Sequence, residues 1–197
     1  MIKISIIPIV KKYYNSHIFG IDRKLIIFLT KLFKRNEIEI LTRKSKLITD
    51  LLIISGGNTI TRFSNEKGDL IRVKLDDFFI KEALRKRIPV LGICHGAHYI
   101  ANKFGAKLIK DLRHGKVRKH DLIIKSISGE KIYKINSFHD ISIKSYSKNL
   151  ISIGTSKNGN IEYFKHKKYN LTGIMWHPER ESKIKNIDKK IIKEIIK

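Results

Sequence analysis

The sequence predicts an α/β fold with a mostly parallel central sheet and a C-terminal half that is rich in β-strands. Strand-like and helix-like segments alternate in the first half of the 197-residue chain, which is typical of parallel strands joined by crossover helices. The segments "DLLIIS" and "IPVLGI" are continuously apolar, as expected for strands covered on both faces. Beyond about residue 120, short β-rich runs alternate with Gly, Asn and Ser turns.

The elements follow from these patterns in chain order. We predict early strands over residues 2–10, 37–41, 50–55 and 88–93. We predict helices over residues 22–36, over residues 69–87, where apolar side chains recur at helical spacing, and from residue 95 to near Gly105. Later strands are expected within residues 121–127, 130–135, 149–154, 160–166 and 171–176, and a last helix over 188–197. We find no repeat or linker, so we expect one domain spanning residues 1–197.

The chain has a formal net charge of +24, which favours binding to nucleic acid, an anionic membrane or an anionic substrate. The lysines, however, are scattered from Lys3 to Lys197 rather than gathered in one stripe. Zinc-finger, RRM-like and basic-zipper patterns do not accompany the charge. We therefore expect a composition bias and no nucleic-acid partner.

The chain contains one cysteine, which excludes an internal disulfide and a multi-thiolate zinc site and favours a reducing compartment. The amino terminus "MIKISIIPIVKKYY" has no small-residue cleavage site, and no apolar run reaches the length of a membrane span. We expect a cytoplasmic protein that does not act on a membrane.

That single cysteine, Cys94, lies in "GICHG", where a predicted buried strand meets a predicted helix. The spacing of Gly92 and Gly96 around it is that of a nucleophile elbow, in which the flanking glycines permit a sharp turn. A helix amino end and a nearby imidazole would both favour the thiolate. A small buried core cysteine is the alternative interpretation.

Two further segments complete a candidate hydrolytic site. In "GIMWHPERE", a predicted strand leads into His177 and Glu179, which have the roles of base and orienting carboxylate in a triad. In "LLIISGGNTI", a glycine pair follows a buried strand and can direct backbone N–H groups toward an oxyanion. The N–H of His95, directly after the cysteine, is the second expected donor.

The segments "SGGN", "GICHG" and "HPE", in this order, resemble the class I glutamine amidotransferase-like superfamily over residues 1 to about 185. The segments "GGNTI", "INSFH" and "GIMWHPERE" are most similar to its γ-glutamyl hydrolase branch, which includes γ-glutamyl-γ-aminobutyrate hydrolases. The resemblance implies a flavodoxin-like three-layer fold and a γ-glutamyl thioester on the cysteine. It implies no metal and no cofactor.

By this resemblance, Cys94 is the nucleophile, His177 the general base and acid, and Glu179 the residue that orients the histidine. The resemblance assigns the oxyanion hole to the backbone N–H groups of Gly57 and His95. The candidate substrate-binding residues are Asn58, Arg72, His98, Ser137, Phe138 and His139.

Several features complicate this assignment. Relatives usually carry glutamine at the position of His98, so recognition of free glutamine is not assured. The Cys-His pair also resembles related intracellular proteases and stress chaperones, but those lack a downstream His-Pro-Glu. A metal site made of Cys94, His95 and His98 is not expected, because adjacent residues on an elbow point in different directions.

Two charged features complete the expectations. The segment "RHGKVRKHD", with Arg113, His114, Lys116, Arg118, Lys119 and His120, is expected as either a solvated loop or an anion-binding rim. Arg72 and Asp76 are expected to form an exposed ion pair on one helix face.

Three functions remain open at this stage. The first is a hydrolase that cleaves a small γ-glutamyl amide, with γ-glutamyl-CDP-amidate as one substrate that the resemblance implies. The second is a glutaminase subunit that supplies ammonia to a synthetase partner. The third is a non-enzymatic binding protein, which the complete set of Cys94, His177 and Glu179 disfavours.

Overall fold

The computed structural model describes residues 1–111, 118–127, 129–145 and 147–197. The helices are α1 (Arg23–Leu32), α2 (Lys67–Lys86), α3 (His95–Lys103) and α4 (Asn186–Ile196), and a short 3-10 turn spans Pro178–Arg180. The strands are β1 (Ile2–Ile7), β2 (Ile9–Tyr13), β3 (Ser16–Gly20), β4 (Asn36–Ile40), β5 (Leu51–Ile54), β6 (Val90–Ile93), β7 (Lys107–Lys110), β8 (Lys119–Ser126), β9 (Gly129–Asn136), β10 (Ile141–Ser145), β11 (Leu150–Thr155), β12 (Ile161–His166) and β13 (Leu171–Ile174).

The main sheet joins a parallel part to an antiparallel part. The strand order along its path is β4-β1-β5-β6-β13-β12-β11-β8-β9. The first five of these strands are mutually parallel, and their order is that of a flavodoxin-like sheet. Strands β7 to β12 extend the sheet in antiparallel pairs. The predicted fold class is confirmed.

Successive side chains of the parallel strands alternate between the two faces of the sheet, and helices cover both faces, which gives three layers. In β5, Leu52 and Ile54 pack into the core cluster that contains Phe79 of α2 and Ile100 of α3. Leu51 and Ile53 face the opposite way and join the cluster that contains residues of α1 and α4. Successive side chains of a strand point to opposite faces, so the sheet is covered by helices on both sides.

Some predicted boundaries were wrong. The predicted strand over residues 2–10 is broken at Pro8, which has no N–H for the ladder, and residues 9–13 instead pair with β3 in a separate two-stranded sheet. Strands β7 and β10 were not predicted. The last helix begins two residues before its predicted start. None of the helices in the described ranges is both long and apolar enough to cross a bilayer.

Candidate active site

Cys94 lies between the end of β6 and the start of α3, at the carboxyl edge of the parallel sheet. Its backbone has φ 50° and ψ −98°, a conformation that costs a residue with a side chain about 1–3 kcal/mol. The Cys94 N–H donates to Ile174 O at 2.8 Å, and Cys94 O accepts from His98 N–H at 2.9 Å. Bonds to β13 and α3 therefore hold the strained turn of a nucleophile elbow.

The two glycines of the elbow are required because other atoms lie where their side chains would be. A Cβ on Gly92 would lie 2.6 Å from the carbonyl carbon of Gly96. A Cβ on Gly96 would lie 2.1 Å from Ile54 O on the neighbouring strand. Any side chain at either position would push α3 away from the sheet, so the glycine spacing read from the sequence has a steric cause.

His177 reaches the same edge from the next parallel strand. Strands β6 and β13 run in register, with Ile93 opposite Ile174, and His177 precedes the 3-10 turn that follows β13. A Cβ placed on Gly56 would lie 3.3 Å from His177 Nε2 and 3.4 Å from Cys94 Cβ. The imidazole and the side chain of Cys94 thus flank one point in space.

Glu179 holds the other ring nitrogen of His177. Its Oε1 accepts from the Nδ1–H of His177 at 2.6 Å, and both side chains are buried. Burial lowers the pKa of His177, but the Cys94 thiolate and the bond to Glu179 raise it to about 9. Burial likewise raises the pKa of Cys94, yet His177 lowers it below its ordinary value. Each charged form thus stabilises the other: the imidazolium lowers the pKa of the thiol, and the thiolate raises the pKa of the imidazole.

Asn136, at the end of β9, fixes the backbone of His177 in both directions. Its Nδ2 donates to His177 O at 2.8 Å, and its Oδ1 accepts from His177 N–H at 2.8 Å. Nδ2 also lies 2.8 Å from Glu181 Oε1. Asn136 begins the quoted "NSFH" segment, but its positioning role depends on a contact across 41 residues and has no local signal in the sequence.

The glycine pair after β5 lies against Cys94. Gly57 has φ +113°, a conformation that favours glycine, and a Cβ there would lie 2.7 Å from Ile9 Cδ1. The His95 N–H belongs to the first turn of α3, where N–H groups lack acceptors within the helix. A Cβ on Gly56 would lie 3.4 Å from Cys94 Cβ, and His95 follows Cys94 in the chain, so Gly57 and His95 remain the expected donors of the oxyanion hole.

The side chain of His95 is engaged away from the thiol. Its Nδ1 lies 2.9 Å from Asn58 O and its Nε2 lies 3.0 Å from Asp76 Oδ2. Because both ring nitrogens have partners in the protein, this imidazole cannot act as the base for Cys94. The geometry disfavours the Cys-His protease interpretation.

The expectation that Arg72 and Asp76 form an exposed ion pair is wrong. Both side chains have no exposed surface, and Arg72 Nε donates to Asp76 Oδ1 at 2.8 Å. The remaining Arg72 nitrogens donate to Pro8 O at 2.6 Å and Ser55 O at 2.9 Å. Arg72 is therefore buried beneath the loop that carries Gly57 and stabilises this loop through its hydrogen bonds. The expectation that it contacts substrate is not supported.

Asn58 also has a structural position rather than an open one. Its Nδ2 donates to Val10 O at 2.8 Å and Asp69 Oδ1 at 2.7 Å, while its Oδ1 accepts from Val10 N–H at 2.9 Å. These bonds fasten the β2–β3 hairpin to the loop after β5. The expectation of a direct substrate contact by the Asn58 side chain is likewise not supported.

His98 faces the protein interior. Its Nε2–H donates to Ile141 O at 2.9 Å, and burial together with the charge of His139 lowers its pKa to about 3. The ring is therefore neutral at physiological pH and its donor is occupied, so it is a satisfied helix histidine rather than a carboxylate ligand.

Of the "SFH" residues, Phe138 lies against His177. Phe138 is 42% exposed and its ring meets that of His177 edge-on at 5.7 Å between centroids. The hydroxyl of Ser137 is buried and has no hydrogen-bond partner among the described residues. The Nδ1–H of buried His139 donates to Ile141 O at 2.8 Å.

Phe138 also contacts two arginines. The guanidinium carbon of Arg180 lies 4.7 Å and that of Arg118 lies 5.8 Å from the centre of its ring. Arg180 was not among the candidate residues, although it directly follows "HPE". Of the predicted basic rim, Arg113, His114 and Lys116 lie outside the described residues.

Comparisons with known proteins identify the family. Residues 36–179 match the Peptidase C26 family. The gamma-glutamyl-CDP-amidate hydrolase of Campylobacter jejuni is 37% identical over 153 residues, which cover 76% of this chain and 70% of that protein. Anthranilate synthase component 2 of Saccharolobus solfataricus is 31% identical over 138 residues, which cover 66% of this chain and 67% of that protein.

Among solved structures, a GMP synthase subunit of Thermoplasma acidophilum superimposes with a TM-score of 0.72 at 20% identity, covering 100% of this chain and 92% of that one. This similarity concerns the fold. The family match, which spans the elbow cysteine and the His-Pro-Glu segment, confirms the resemblance seen in the sequence. The chain belongs to the Peptidase C26 family and is a C–N amide hydrolase of the γ-glutamyl hydrolase type.

Proposed function

We propose that this protein hydrolyses a γ-glutamyl amide whose leaving group carries phosphate, through a γ-glutamyl thioester on Cys94. The observation that carries the proposal is the buried set of Cys94, His177 and Glu179 at one edge of the sheet, with the His177 Nδ1 2.6 Å from the carboxylate. The reaction uses the thiolate of Cys94 and the imidazolium of His177 together, and each of these charged forms favours the other.

In the first half-reaction the Cys94 thiolate attacks the γ-carbonyl carbon. The negative charge that develops on the carbonyl oxygen faces the N–H groups of Gly57 and His95. The C–N bond then breaks as His177 gives its proton to the leaving nitrogen. The products are an amine or amidate, the γ-glutamyl thioester and a neutral His177.

In the second half-reaction, water replaces the leaving group. Neutral His177 takes a proton from this water while the water oxygen attacks the thioester carbon. The C–S bond breaks, glutamate is released, and the thiolate and imidazolium are restored. Glu179 orients the ring and stabilises its charged form in both steps.

The phosphate-bearing leaving group is inferred from the mouth of the site. Arg118 and Arg180 flank the exposed ring of Phe138, which covers His177. Guanidinium groups pair well with phosphate oxygens, and an aromatic ring offers a stacking surface for a nucleobase. The Campylobacter jejuni relative is named for a γ-glutamyl-CDP-amidate, which has this chemistry.

The test is glutamate release from free glutamine, γ-glutamyl-γ-aminobutyrate and a γ-glutamyl phosphoramidate nucleotide. We expect turnover of the nucleotide conjugate by the wild type and none by Cys94→Ser. Arg180→Gln should raise the KM for the nucleotide conjugate about tenfold or more, the scale of one charge-assisted phosphate contact. Arg85→Gln, at an exposed arginine on α2, is the matched control.

The second candidate is a glutaminase subunit that delivers ammonia to a synthetase partner. The relatives that favour it are anthranilate synthase component 2 and a glutamine-hydrolysing GMP synthase subunit of Picrophilus torridus. Turnover of glutamine, but of neither conjugate, would establish this candidate and overturn the first. Equal turnover of both conjugates, unaffected by Arg180→Gln, would overturn the assignment of the leaving group.

A further inference from the structure

A second cluster of functional side chains lies in the antiparallel part of the sheet, outside the triad. It consists of His120 on β8, His139 in the loop before β10, and Glu162 on β12. One ligand atom from each side chain lies within 4.8 Å of the others. The three residues are distant in sequence, and two strands and a loop bring them together in the fold.

Burial distinguishes this cluster from ordinary surface charge. The side chain of Glu162 is 1% exposed and that of His139 is 3% exposed. A carboxylate taken out of water costs free energy unless cationic groups or a metal ion compensate it. Here the compensating groups include two imidazoles, whose Nε2 atoms lie 3.8 Å (His120) and 3.6 Å (His139) from Glu162 Oε2.

Each imidazole is oriented by a backbone carbonyl. His120 Nδ1 lies 3.2 Å from Asp121 O, and His139 Nδ1 lies 2.8 Å from Ile141 O. A bond from Nδ1–H to a carbonyl leaves Nε2 to face the carboxylate. This is the arrangement that fixes the tautomer and direction of metal-ligating histidines.

The geometry points to a binding site for a divalent transition-metal cation formed by His120, His139 and Glu162. Two imidazoles and one carboxylate are a ligand set of zinc sites that keep a fourth position open. Tetrahedral coordination with bonds of about 2.0–2.1 Å would bring each Nε2 closer to the Glu162 carboxylate oxygen by only about half an ångström or less. His120 is 13% exposed and marks the entry path.

The site adjoins the catalytic centre without sharing a residue with the proposed triad. The rings of His139 and His98 meet edge-on at 5.8 Å, and the His98 N–H donates to Cys94 O at 2.9 Å. A bound cation would therefore add positive charge near the thiol. The inference does not depend on which amide the enzyme cleaves.

The experiment is a Zn²⁺ titration of full-length Cys94→Ser protein, because this variant lacks the thiol that would otherwise compete for the metal. We expect one Zn²⁺ per chain, measured by calorimetry and by metal content after gel filtration. The variant Cys94→Ser/His120→Gln should bind at least about tenfold more weakly, since it lacks one ligand. His17→Gln in the same background is the control for loss of a histidine elsewhere.

A second readout identifies the ligands. Co²⁺ bound to the Cys94→Ser protein should give a visible spectrum of nitrogen and oxygen coordination that disappears in Glu162→Gln. His120→Gln changes a partly exposed side chain, so it keeps the test valid if the Glu162 variant does not fold. The proposed site would be refuted if Cys94→Ser bound no Zn²⁺, or if His120→Gln in the Cys94→Ser background left Zn²⁺ binding unchanged.

Discussion

Gly56→Ala should separate the two proposed catalytic groups. The new Cβ would lie 2.5 Å from His177 Cε1, 3.3 Å from its Nε2 and 3.4 Å from Cys94 Cβ. Ordinary contact begins at 3.4 Å, so the imidazole must retreat by about 0.9 Å. Asn136 and Glu179 hold its backbone and its Nδ1, so the ring cannot retreat without losing a bond.

A displacement of about 1 Å in a catalytic group costs about 100-fold in rate, which corresponds to about 2.7 kcal/mol of transition-state stabilisation. We therefore expect kcat to fall about 100-fold, with a comparable fall in the rate of Cys94 alkylation by iodoacetamide at neutral pH. The backbone of Gly56 is not in the positive-φ region, but crowding the buried ring should still lower the free energy of unfolding by about 1–3 kcal/mol, so kcat is compared at a temperature at which the variant is folded.

Gly20→Ala is the matched control. A Cβ at Gly20 meets no atom within 4 Å, and its φ is not in the left-handed region, so its kcat should equal that of the wild type. Wild-type turnover by Gly56→Ala would refute the proposed position of His177 beside the thiol. An equal loss in Gly20→Ala would show that the assay reports a general effect of added methyl groups.

Three other predictions follow from individual contacts. Glu179→Gln removes the carboxylate that raises the pKa of His177. The imidazolium that lowers the pKa of Cys94 is then less populated, so the acid limb of the Cys94 alkylation rate should move to higher pH. An unmoved limb would contradict the orienting role. Asn136→Ala should lower kcat about 10- to 100-fold with little change in KM, whereas a change in KM alone would indicate a substrate contact. Arg72→Met leaves the buried Asp76 carboxylate without its main partner and should cost about 3–5 kcal/mol in urea unfolding at neutral pH. Burial raises the pKa of Asp76, but Arg72 and His95 lower it below 3.8, so this stabilisation is complete above pH 3.8 and is lost as the pH falls further; a difference from wild type that stays constant in acid would refute the assignment.

Local patterns in the sequence identified the parts of the molecule that depend on short-range geometry. The apolar runs of β5 and β6 predicted buried parallel strands, because period-two side chains covered on both faces must all be apolar. The spacing of Gly92, Cys94 and Gly96 predicted the elbow, because a Cβ on either glycine would lie within 3 Å of neighbouring backbone atoms. The same local logic predicted that His177 follows a strand.

Strand boundaries that depend on which strands pair with each other were harder to predict from the sequence. Ile9 and Val10 continue the apolar run of β1, yet the chain leaves the main sheet after Pro8 and residues 9–13 pair with β3. Strands β7 and β10 are short and pair with each other. Of the two, only β10 carries a strand signal, the alternation of Ile141 and Ile143 with Ser142 and Lys144, and the prediction overlooked it. Their existence depends on which edge is available for hydrogen bonding, a property of the assembled sheet.

The amino-acid sequence was sufficient to predict the family, the parallel core, the nucleophile elbow and the candidate triad. These features depend either on residues that are close together in the chain or on motifs whose order is diagnostic. The roles of the buried polar side chains emerged only from the folded chain. Folding buried Arg72 against Asp76, engaged the ring of His95, and joined His120, His139 and Glu162 across three elements. A polar residue is functional, structural or solvated according to the partners it meets after folding, and those partners are remote in the chain.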